Sequence, residues 1–296
     1  MKTSTISIAL ATYNGERYLR QQIGSLLSQT IPFDELIICD DNSSDSTIAI
    51  INEYSAQDNR IKLFRNKINI GFKANFEQAL SLCTGDIIAL CDQDDIWLPE
   101  HIKTLYDNME NKLLVCGDST LINKNGKLLK QRLSSIKLFK KRPYDCESIF
   151  RFIVYYQNPF QGASMMMQKQ FLQVALPIPD SVKFHDAWFA HISCLINSFK
   201  YIPEPITLYR MHETNASGKH TKQKQLKVIL KHFLQKELYN NRREIINALF
   251  EKKDQLSIAY PSLLDEARKY YCCRRTFKNR LKNLIFEFKN YTLIYN

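Results

Sequence analysis

Glycine and long apolar runs are scarce in this chain of 296 residues, and each scarcity excludes a class of protein. Only 8 glycines are present, and no GxGxxG follows the first predicted strand, so the dinucleotide-binding fingerprint is absent. No window reaches the roughly 18 consecutive apolar residues that a transmembrane helix needs. The N-terminal apolar run is short and has no small-residue cleavage site, so we expect no signal peptide and a cytoplasmic location.

The 8 cysteines are scattered, and no CxxC pair with metal-ligand spacing occurs. A disulfide framework and a cysteine zinc site are therefore not expected. The chain also has no internal repeat and no low-complexity tract.

The positive charge is confined to one end of the chain. Residues 1–218 contain 23 Lys and Arg and 23 Asp and Glu, whereas residues 219–296 contain 18 and 7, so the whole net charge of +11 lies in the C-terminal quarter. This division predicts two regions, 1–218 and a basic tail over 219–296.

Strand-like and helix-like segments alternate over the first 118 residues, which predicts an α/β fold with a mainly parallel sheet flanked by helices. The predicted strands are 6–11, 35–39, 61–64, 87–91 and 113–116. The predicted helices are 16–29, 44–56, 71–82 and 99–109. The pattern weakens over 119–218, where we expect a helix at 184–193 and an edge strand at 206–209. Residues 1–118 thus form one predicted half of the domain and 119–218 the other.

Polar clusters follow three of these strands, at residues 11–14, 40–43 and 92–95. Ligands bind beyond the carboxyl ends of the strands in such sheets. Asp92 and Asp94 form a D-x-D at one strand end, and carboxylate oxygens suit Mn²⁺ or Mg²⁺. The alternative is a solvated acidic turn in which Asp95 caps the next helix. Two further polar clusters at the same edge favour the metal.

The other two clusters offer contacts to a nucleotide base. Asp41 could accept the N3–H of a pyrimidine, and Thr12, Tyr13 and Asn14 could supply backbone contacts and a ring beside it. The alternatives are an ordinary strand-to-helix turn at 12–14 and, at 40–44, a turn with Ser43 or Ser44 as helix N-cap.

Four segments together resemble the inverting glycosyltransferases of family 2, which have the GT-A fold. These segments are 8–14, 25–30, 38–45 and 92–95. Weaker similarities are Asn69-Ile70-Gly71, the block 185–188, and Tyr209-Arg210-Met211-His212, which resembles the closing element of bacterial rhamnosyltransferase-like members. The resemblance covers about residues 5–217. It implies a GT-A catalytic domain at 1–218, with a nucleotide-binding half at 1–118 and an acceptor-binding half at 119–218.

The resemblance also implies roles for individual residues. Asp186 is the expected general base, although spacing alone would make it a surface residue. His185 stands where the family commonly carries an acidic residue. The resemblance assigns the remaining roles as follows: donor binding to Thr12, Tyr13, Asn14, Glu16, Asp41, Asp92, Gln93 and Arg210; metal binding to Asp92, Asp94 and His212; acceptor binding to Gln161, Gly162 and Trp188.

The implied activity is metal-dependent transfer of a sugar, with inversion, from a nucleotide diphosphate donor. The donor would be dTDP-rhamnose or a UDP-sugar, the acceptor a saccharide or lipid-linked glycan, and the pathway cell-surface polysaccharide synthesis. The alternative is a sugar-nucleotide-binding partner subunit without turnover.

The tail interleaves basic residues with aromatic and aliphatic ones, and an apolar stripe at helical spacing begins at Phe277. Such a helix suits an anionic membrane surface, so peripheral attachment to the inner face of the cell membrane is one interpretation. Packing of a helical tail on the catalytic domain is the other. No nucleic-acid-binding module is recognisable, so nucleic acid is not an expected partner.

Overall fold

A computed structural model describes residues 4–136, 139, 144–213 and 236–272. Within these ranges one sheet of nine strands lies between two layers of helices. The strands are β1 Ile6–Thr12, β2 Glu35–Asp40, β3 Ile61–Arg65, β4 Ile87–Asp92, β5 Ile96–Trp97, β6 Leu114–Asn123, β7 Leu128–Arg132, β8 Met165–Gln168 and β9 Phe199–Met211. The α-helices are α1 Glu16–Leu27, α2 Thr47–Ser55, α3 Phe72–Leu82, α4 His101–Asp107, α5 Leu133–Ile136, α6 Cys146–Tyr155, α7 Leu172–Ala175, α8 His185–Leu195, α9 Lys236–Glu251 and α10 Pro261–Cys272.

The strand order is β3-β2-β1-β4-β8-β6-β9-β5, and β7 pairs with β6 outside that path. Strands β1 to β4 pair in parallel, as the alternation with helices predicts. Strand β8 runs antiparallel between β4 and β6. The predicted α/β fold with flanking helices is therefore confirmed, in the form of a mixed sheet.

Successive residues of the parallel strands face opposite helix layers. In β1, Ala9 joins the cluster that contains α3, α6 and α8, whereas Ile8 and Leu10 join the cluster that contains α1, α2 and α4. Strand β4 alternates in the same way. Both faces are thus covered by apolar side chains, and the strand ends are where polar side chains reach solvent.

The described part of the basic tail packs against the rest of the fold. Apolar side chains of α9 and α10 join the same cluster as α3, α6 and α8. The Tyr271 hydroxyl donates to the carbonyl of Val154 at 2.5 Å, and Arg151 pairs with Glu266 at 3.0 Å. The apolar stripe that begins at Phe277 lies outside the described residues.

Two local predictions differ from the structure. The predicted edge strand at 206–209 belongs to the 13-residue strand β9, which lies inside the sheet between β6 and β5. Helix α2 begins at Thr47, not at Ser44, because Asp45 accepts hydrogen bonds from the Thr47 backbone N–H and hydroxyl. None of the helices in the described ranges is long and apolar enough to cross a bilayer.

Candidate active site

A cavity of about 430 Å³ lies beyond the carboxyl ends of β1, β2 and β4. The N-terminal turns of α3 and α8 and the segment before β8 close its sides. Its lining residues are Ala11, Thr12, Tyr13, Asp41, Asn69, Gly71, Phe72, Asn75, Phe76, Asp92, Gln93, Asp94, Gln161, Gly162, Phe184, His185, Asp186 and Tyr209. The three polar clusters predicted to meet at one sheet edge therefore do so.

The acidic turn after β4 is held by its third carboxylate. Asp95 is fully buried and does not cap α4. Its carboxylate accepts hydrogen bonds from the Gln161 side chain at 2.5 Å and from the Arg210 backbone N–H at 2.9 Å. Gln161 precedes β8 and Arg210 lies on β9, so the turn is tied to both. Asp92 and Asp94 are left facing the cavity.

Negative charge is crowded at this turn. Burial, together with the charges of Asp94 and Asp186, raises the pKa of Asp92 to about 8, although a hydrogen bond from Gln161 opposes the shift. Burial and the charges of Asp94 and Asp92 also raise the pKa of Asp95. Three like charges in a buried setting disfavour one another's ionised form, and a bound cation would reverse this preference.

Asp94 contacts the end of β9. Its carboxylate lies 2.6 Å from Nε2 of His212, and the ring of His212 lies 5.3 Å from that of Tyr18. Gln93 and Asp94 also line a second, smaller cavity of about 210 Å³. The other residues of this second cavity are Asn14, Gly15, Arg17, Tyr18, Lys124, His212 and Glu213. Its cationic side chains, Arg17 and Lys124, suit a phosphate group.

Arg210 has a different place from the predicted one. It is 1% exposed and lines neither cavity. Its Nε donates to the carbonyl of Asp94 at 2.7 Å, its Nη2 donates to Gln21 at 2.7 Å, and its guanidinium lies 4.4 Å from the ring centre of Tyr18. Arg210 therefore supports the acidic turn from the interior of the protein.

The described part of the chain contains no group of three or more His, Cys, Asp and Glu side chains arranged to hold a metal ion. Mg²⁺ and Mn²⁺ commonly bind through one or two carboxylates plus substrate phosphates, so a complete protein cage is not required. Asp94 and His212, with Asp92 beside them, offer oxygen and nitrogen ligands in a region of concentrated negative charge. The residues present therefore fit an ion whose remaining ligands come from the substrate.

The turn after β1 is fixed by Gln93. The Gln93 side chain accepts from the backbone N–H of Tyr13 at 2.9 Å and donates to its carbonyl at 3.1 Å. A Cβ at Gly15 would lie 2.2 Å from Gln93 Oε1, so this contact requires glycine. The ring of Tyr13 remains 48% exposed at the cavity. Asn14 has a φ of 47° and accepts from Ser44 N–H at 2.9 Å.

The predicted base-recognition residue organises a loop. Asp41 is 2% exposed and lines the cavity, and its carboxylate accepts from the backbone N–H groups of Ile70 and Gly71 and from the Asn66 side chain. Glu16, in contrast, lines neither cavity. Its carboxylate accepts from the Ser46 N–H at 2.9 Å and so links α1 to the start of α2.

The block at 185–188 forms the first turn of α8 and supplies the cavity with Asp186. The Asp186 carboxylate accepts from the Ala187 N–H at 2.5 Å, and the N-terminal end of a helix favours its negative charge. Trp188 is fully buried, and its indole N–H donates to the Ala175 carbonyl at 2.7 Å. Trp188 is thus a core residue and does not line the cavity, which corrects its predicted place beside the acceptor.

Several lining residues carried no predicted role, namely Asn69, Phe72, Asn75, Phe76, Phe184 and His185. Phe72 and Phe76 lie one helical turn apart at the start of α3. The same rule that placed clusters at strand ends could have found them, because α3 begins directly after Gly71 at that edge of the sheet. Phe184 and His185 adjoin Asp186 and could have been found in the same way.

Comparison with known proteins places the chain among sugar-transferring enzymes. The family model described as glycosyl transferase family 2 matches residues 7–173. An uncharacterized glycosyltransferase of Methanocaldococcus jannaschii is 28% identical over 258 residues, which are 84% of this chain and 84% of the relative. A UDP-Glc:alpha-D-GlcNAc-diphosphoundecaprenol beta-1,3-glucosyltransferase of Escherichia coli is 34% identical over 150 residues, 49% of this chain and 58% of the relative.

Solved structures share the fold at low identity. TarS 1–349 of Staphylococcus aureus in complex with UDP-GlcNAc superposes with a TM-score of 0.58 and 17% identity, covering 98% of this chain and 92% of that one. A mannosyltransferase of Pyrobaculum calidifontis in complex with GDP-Man and Mn²⁺ gives a TM-score of 0.51 and 16% identity, covering 98% and 88%.

Proposed function

The chain belongs to glycosyl transferase family 2, and from that premise we propose that it is a metal-dependent, inverting enzyme of glycan synthesis. A UDP-sugar is the first donor to test, because the Escherichia coli relative is named for UDP-Glc. The second donor to test is dTDP-rhamnose, because the motif at 209–212 is rhamnosyltransferase-like. The proposed acceptor is a saccharide or a lipid-linked glycan, again in keeping with the name of that relative.

One observation carries the proposal: the cavity brings Asp186 to the same edge of the sheet as Asp92, Asp94 and the turn at Tyr13. Asp186 takes the proton of an acceptor hydroxyl, whose oxygen attacks the anomeric carbon from the face opposite the diphosphate. The bond from that carbon to the diphosphate oxygen breaks, and the nucleoside diphosphate leaves with the electron pair. No covalent intermediate with the protein is needed, and the anomeric carbon is inverted.

The binding side chains have distinct tasks. The exposed ring of Tyr13 is available to stack on the base. The Asp41 carboxylate accepts three hydrogen bonds from the loop and keeps one of its roughly four lone pairs for the N3–H of a pyrimidine. Asp94 and His212 would hold a divalent ion, which when bound offsets the charge that builds up on the leaving diphosphate. Asp92 and Gln93 line the same cavity and are the proposed contacts to the ribose. Arg17 and Lys124 of the second cavity can pair with phosphate oxygens.

A thermal-shift screen of nucleotide diphosphate sugars, with and without Mn²⁺, tests the donor site. Ligand at 100 times its Kd stabilises the folded state by about 2.7 kcal/mol. We expect UDP and dTDP donors to raise Tm only with the metal, and Asp94→Ala to abolish the effect. Glu110→Ala, an exposed carboxylate paired with Lys200 far from the cavity, is the control. Stabilisation by purine donors alone would remove the role assigned to Asp41.

Transfer to a broad panel of saccharides and lipid-linked saccharides separates an enzyme from a binding subunit. Release of the nucleoside diphosphate together with a glycosylated product of inverted configuration supports the proposal. Donor binding without transfer or hydrolysis over the whole panel would instead favour the non-catalytic partner subunit.

A cytoplasmic protein that docks on the inner face of the membrane is the proposed setting. Because Tyr270 and Tyr271 pack in the described core, a deletion that tests docking must begin after Cys272. We expect the full chain to sediment with vesicles containing anionic lipid, and the chain ending at Cys272 to stay in the supernatant. Failure of the full chain to sediment would refute docking. It would not affect the proposed transfer activity.

A further inference from the structure

Three histidines are buried in the described part of the chain, and one of them differs from the others. His101 donates from Nδ1–H to the Ile206 carbonyl at 3.2 Å, and His191 donates from Nδ1–H to the Ala187 carbonyl at 2.6 Å. Among the described residues, each leaves only Nε2 without a partner. Neither ring nitrogen of His185 has a hydrogen-bond partner among the described residues, although the residue is 7% exposed.

This arrangement is costly in the ligand-free protein. Burial lowers the pKa of His185 to about 4, so at neutral pH the ring is an uncharged imidazole with one donor and one acceptor. A buried polar group without a partner costs about 1–3 kcal/mol. A ligand that supplies both partners would recover much of that free energy. An uncharged ring suits a hydroxyl group better than a phosphate.

His185 lies in the wall of the main cavity, directly before Asp186. Its ring packs at 4.3 Å from the ring of Phe76, centre to centre, and at 6.5 Å from Phe72. Phe72 is 41% exposed and lies 5.9 Å from the half-buried ring of Phe184. An aromatic pair at the rim and a polar ring behind it therefore lie beside the carboxylate that takes the acceptor proton.

Nε2 of the His185 ring faces Gly162, another residue of the cavity wall. A Cβ at this position would lie 2.6 Å from His185 Nε2, so a larger residue would displace the ring. Both nitrogens are shielded from solvent in this arrangement. The imidazole must therefore turn about its Cβ–Cγ bond to offer a nitrogen to the cavity.

We infer that Phe72, Phe184 and His185 form the subsite for the acceptor sugar, with the apolar face of a pyranose on the two phenyl rings and one of its hydroxyls bonded to the imidazole. A second hydroxyl of the same sugar then lies on Asp186, the general base. The inference rests on the proposed transfer function. It makes His185 a positioning and specificity residue, which selects acceptors with a hydroxyl next to the one that is glycosylated.

Kinetics of the full-length enzyme with UDP-glucose, Mn²⁺ and octyl pyranosides as acceptors test this role. His185→Gln is expected to raise the acceptor KM about 10-fold or more, the equivalent of one lost hydrogen bond to a buried group, and to change the donor KM less than 2-fold. His191→Gln, on the same helix and outside the cavity, is the matched control. Phe72→Ala should act like His185→Gln, with Ile68→Ala as its control. A rise in donor KM equal to that in acceptor KM overturns the inference, as does a response no larger than that of the controls.

Nuclear magnetic resonance of the wild-type chain gives a readout that does not need turnover. The chain has 6 histidines, so glutamine substitutions of the other five identify the His185 ring signals by elimination. We expect methyl pyranosides added in the presence of UDP and Mg²⁺ to shift both ¹⁵N signals of His185 and to leave those of His191 in place. Unmoved His185 signals over the whole panel overturn the subsite. Shifted signals in a protein that transfers no sugar would instead refute the proposed function and leave the subsite standing.

Discussion

Two carboxylates at opposite ends of the same sheet have pKa values shifted in opposite directions. At the amino ends of the strands, Glu35 of β2 accepts hydrogen bonds from the Ser7 hydroxyl, the Thr84 backbone N–H and the Lys62 ammonium. Burial alone would raise the pKa of Glu35, but these donors lower it to about 2. At the carboxyl ends, burial and the charges of Asp94 and Asp186 raise the pKa of Asp92 to about 8.

The difference separates structure from function in one molecule. Where a buried carboxylate has donors from two or three segments, it stabilises the fold and needs nothing further. Where carboxylates crowd one another at a cavity, the folded state retains unfavourable charge that a ligand can offset. Substitution of Glu35 at the amino end should therefore reduce stability without changing catalysis, and substitution of a crowded cavity carboxylate such as Asp92 or Asp186 should do the reverse.

Asp186→Asn is expected to give the largest effect. Loss of a general base typically costs a factor of about 10² to 10⁴ in rate. We expect kcat to fall by that factor while the donor-induced Tm shift stays within about 1 °C of wild type. Rates from labelled UDP-glucose and melting curves on the same preparations provide the measurement. Transfer at the wild-type rate would remove Asp186 from the mechanism.

Glu35→Gln is its counterpart at the amino end. The lowered pKa corresponds to about 3 kcal/mol of stability at pH 7, an upper value because Lys62 is half-exposed. We expect the free energy of unfolding in urea to fall by up to that amount, and kcat per folded molecule to stay unchanged. A fall in kcat at full folding would break the division between the two ends.

The pH dependence of that loss is a smaller, sharper test. Because the folded-state pKa of Glu35 is about 2 and the ordinary value is 4.5, its contribution is complete above pH 4.5 and is lost as pH falls toward 2. The stability difference between wild type and Glu35→Gln should shrink by about 2 kcal/mol from pH 7 to pH 3. Asp180→Asn, whose exposed carboxylate is only 3.9 Å from Lys73, is the control. A difference that is constant over this range would show that the hydrogen bonds do not favour the ionised form.

The sequence predicted the parallel half of the fold well, because β1 to β4 and their helices each carry a local signal. The sequence of strand β8 shows only an apolar run of methionines. Its antiparallel position between β4 and β6 depends on pairing with residues distant in the sequence. The length of β9 was missed for the same reason.

At the site, sequence position identified the residues of the strand ends but not the direction of their side chains. Asp92, Asp94 and Asp186 reach the cavity as predicted. Arg210 and Trp188 belong to matching motifs, yet they face inward, where Arg210 braces Asp94 and Trp188 fills the core. A sequence motif indicates that a residue is needed near a site. Only the packing in the structure shows whether its side chain faces the cavity or supports another residue that does.

Asp92→Asn gives the most direct contrast with Glu35→Gln. The substitution keeps the size of the side chain and removes a carboxyl group whose ionised form is disfavoured in the folded protein by burial and by the charges of Asp94 and Asp186, so without metal the free energy of unfolding at pH 7 should rise. Transfer should fall in the same variant, because the donor then loses a carboxylate of its site. Asp86→Asn at the amino end, whose carboxylate accepts from the Thr5 N–H at 2.9 Å, should change stability in the opposite direction. Urea unfolding in EDTA compares the three proteins. Asp92→Asn could instead destabilise the fold as Glu35→Gln does. That result would show that the Asp92 carboxylate is stabilised by its surroundings in the folded state, and that the contrast between the two ends of the sheet is wrong.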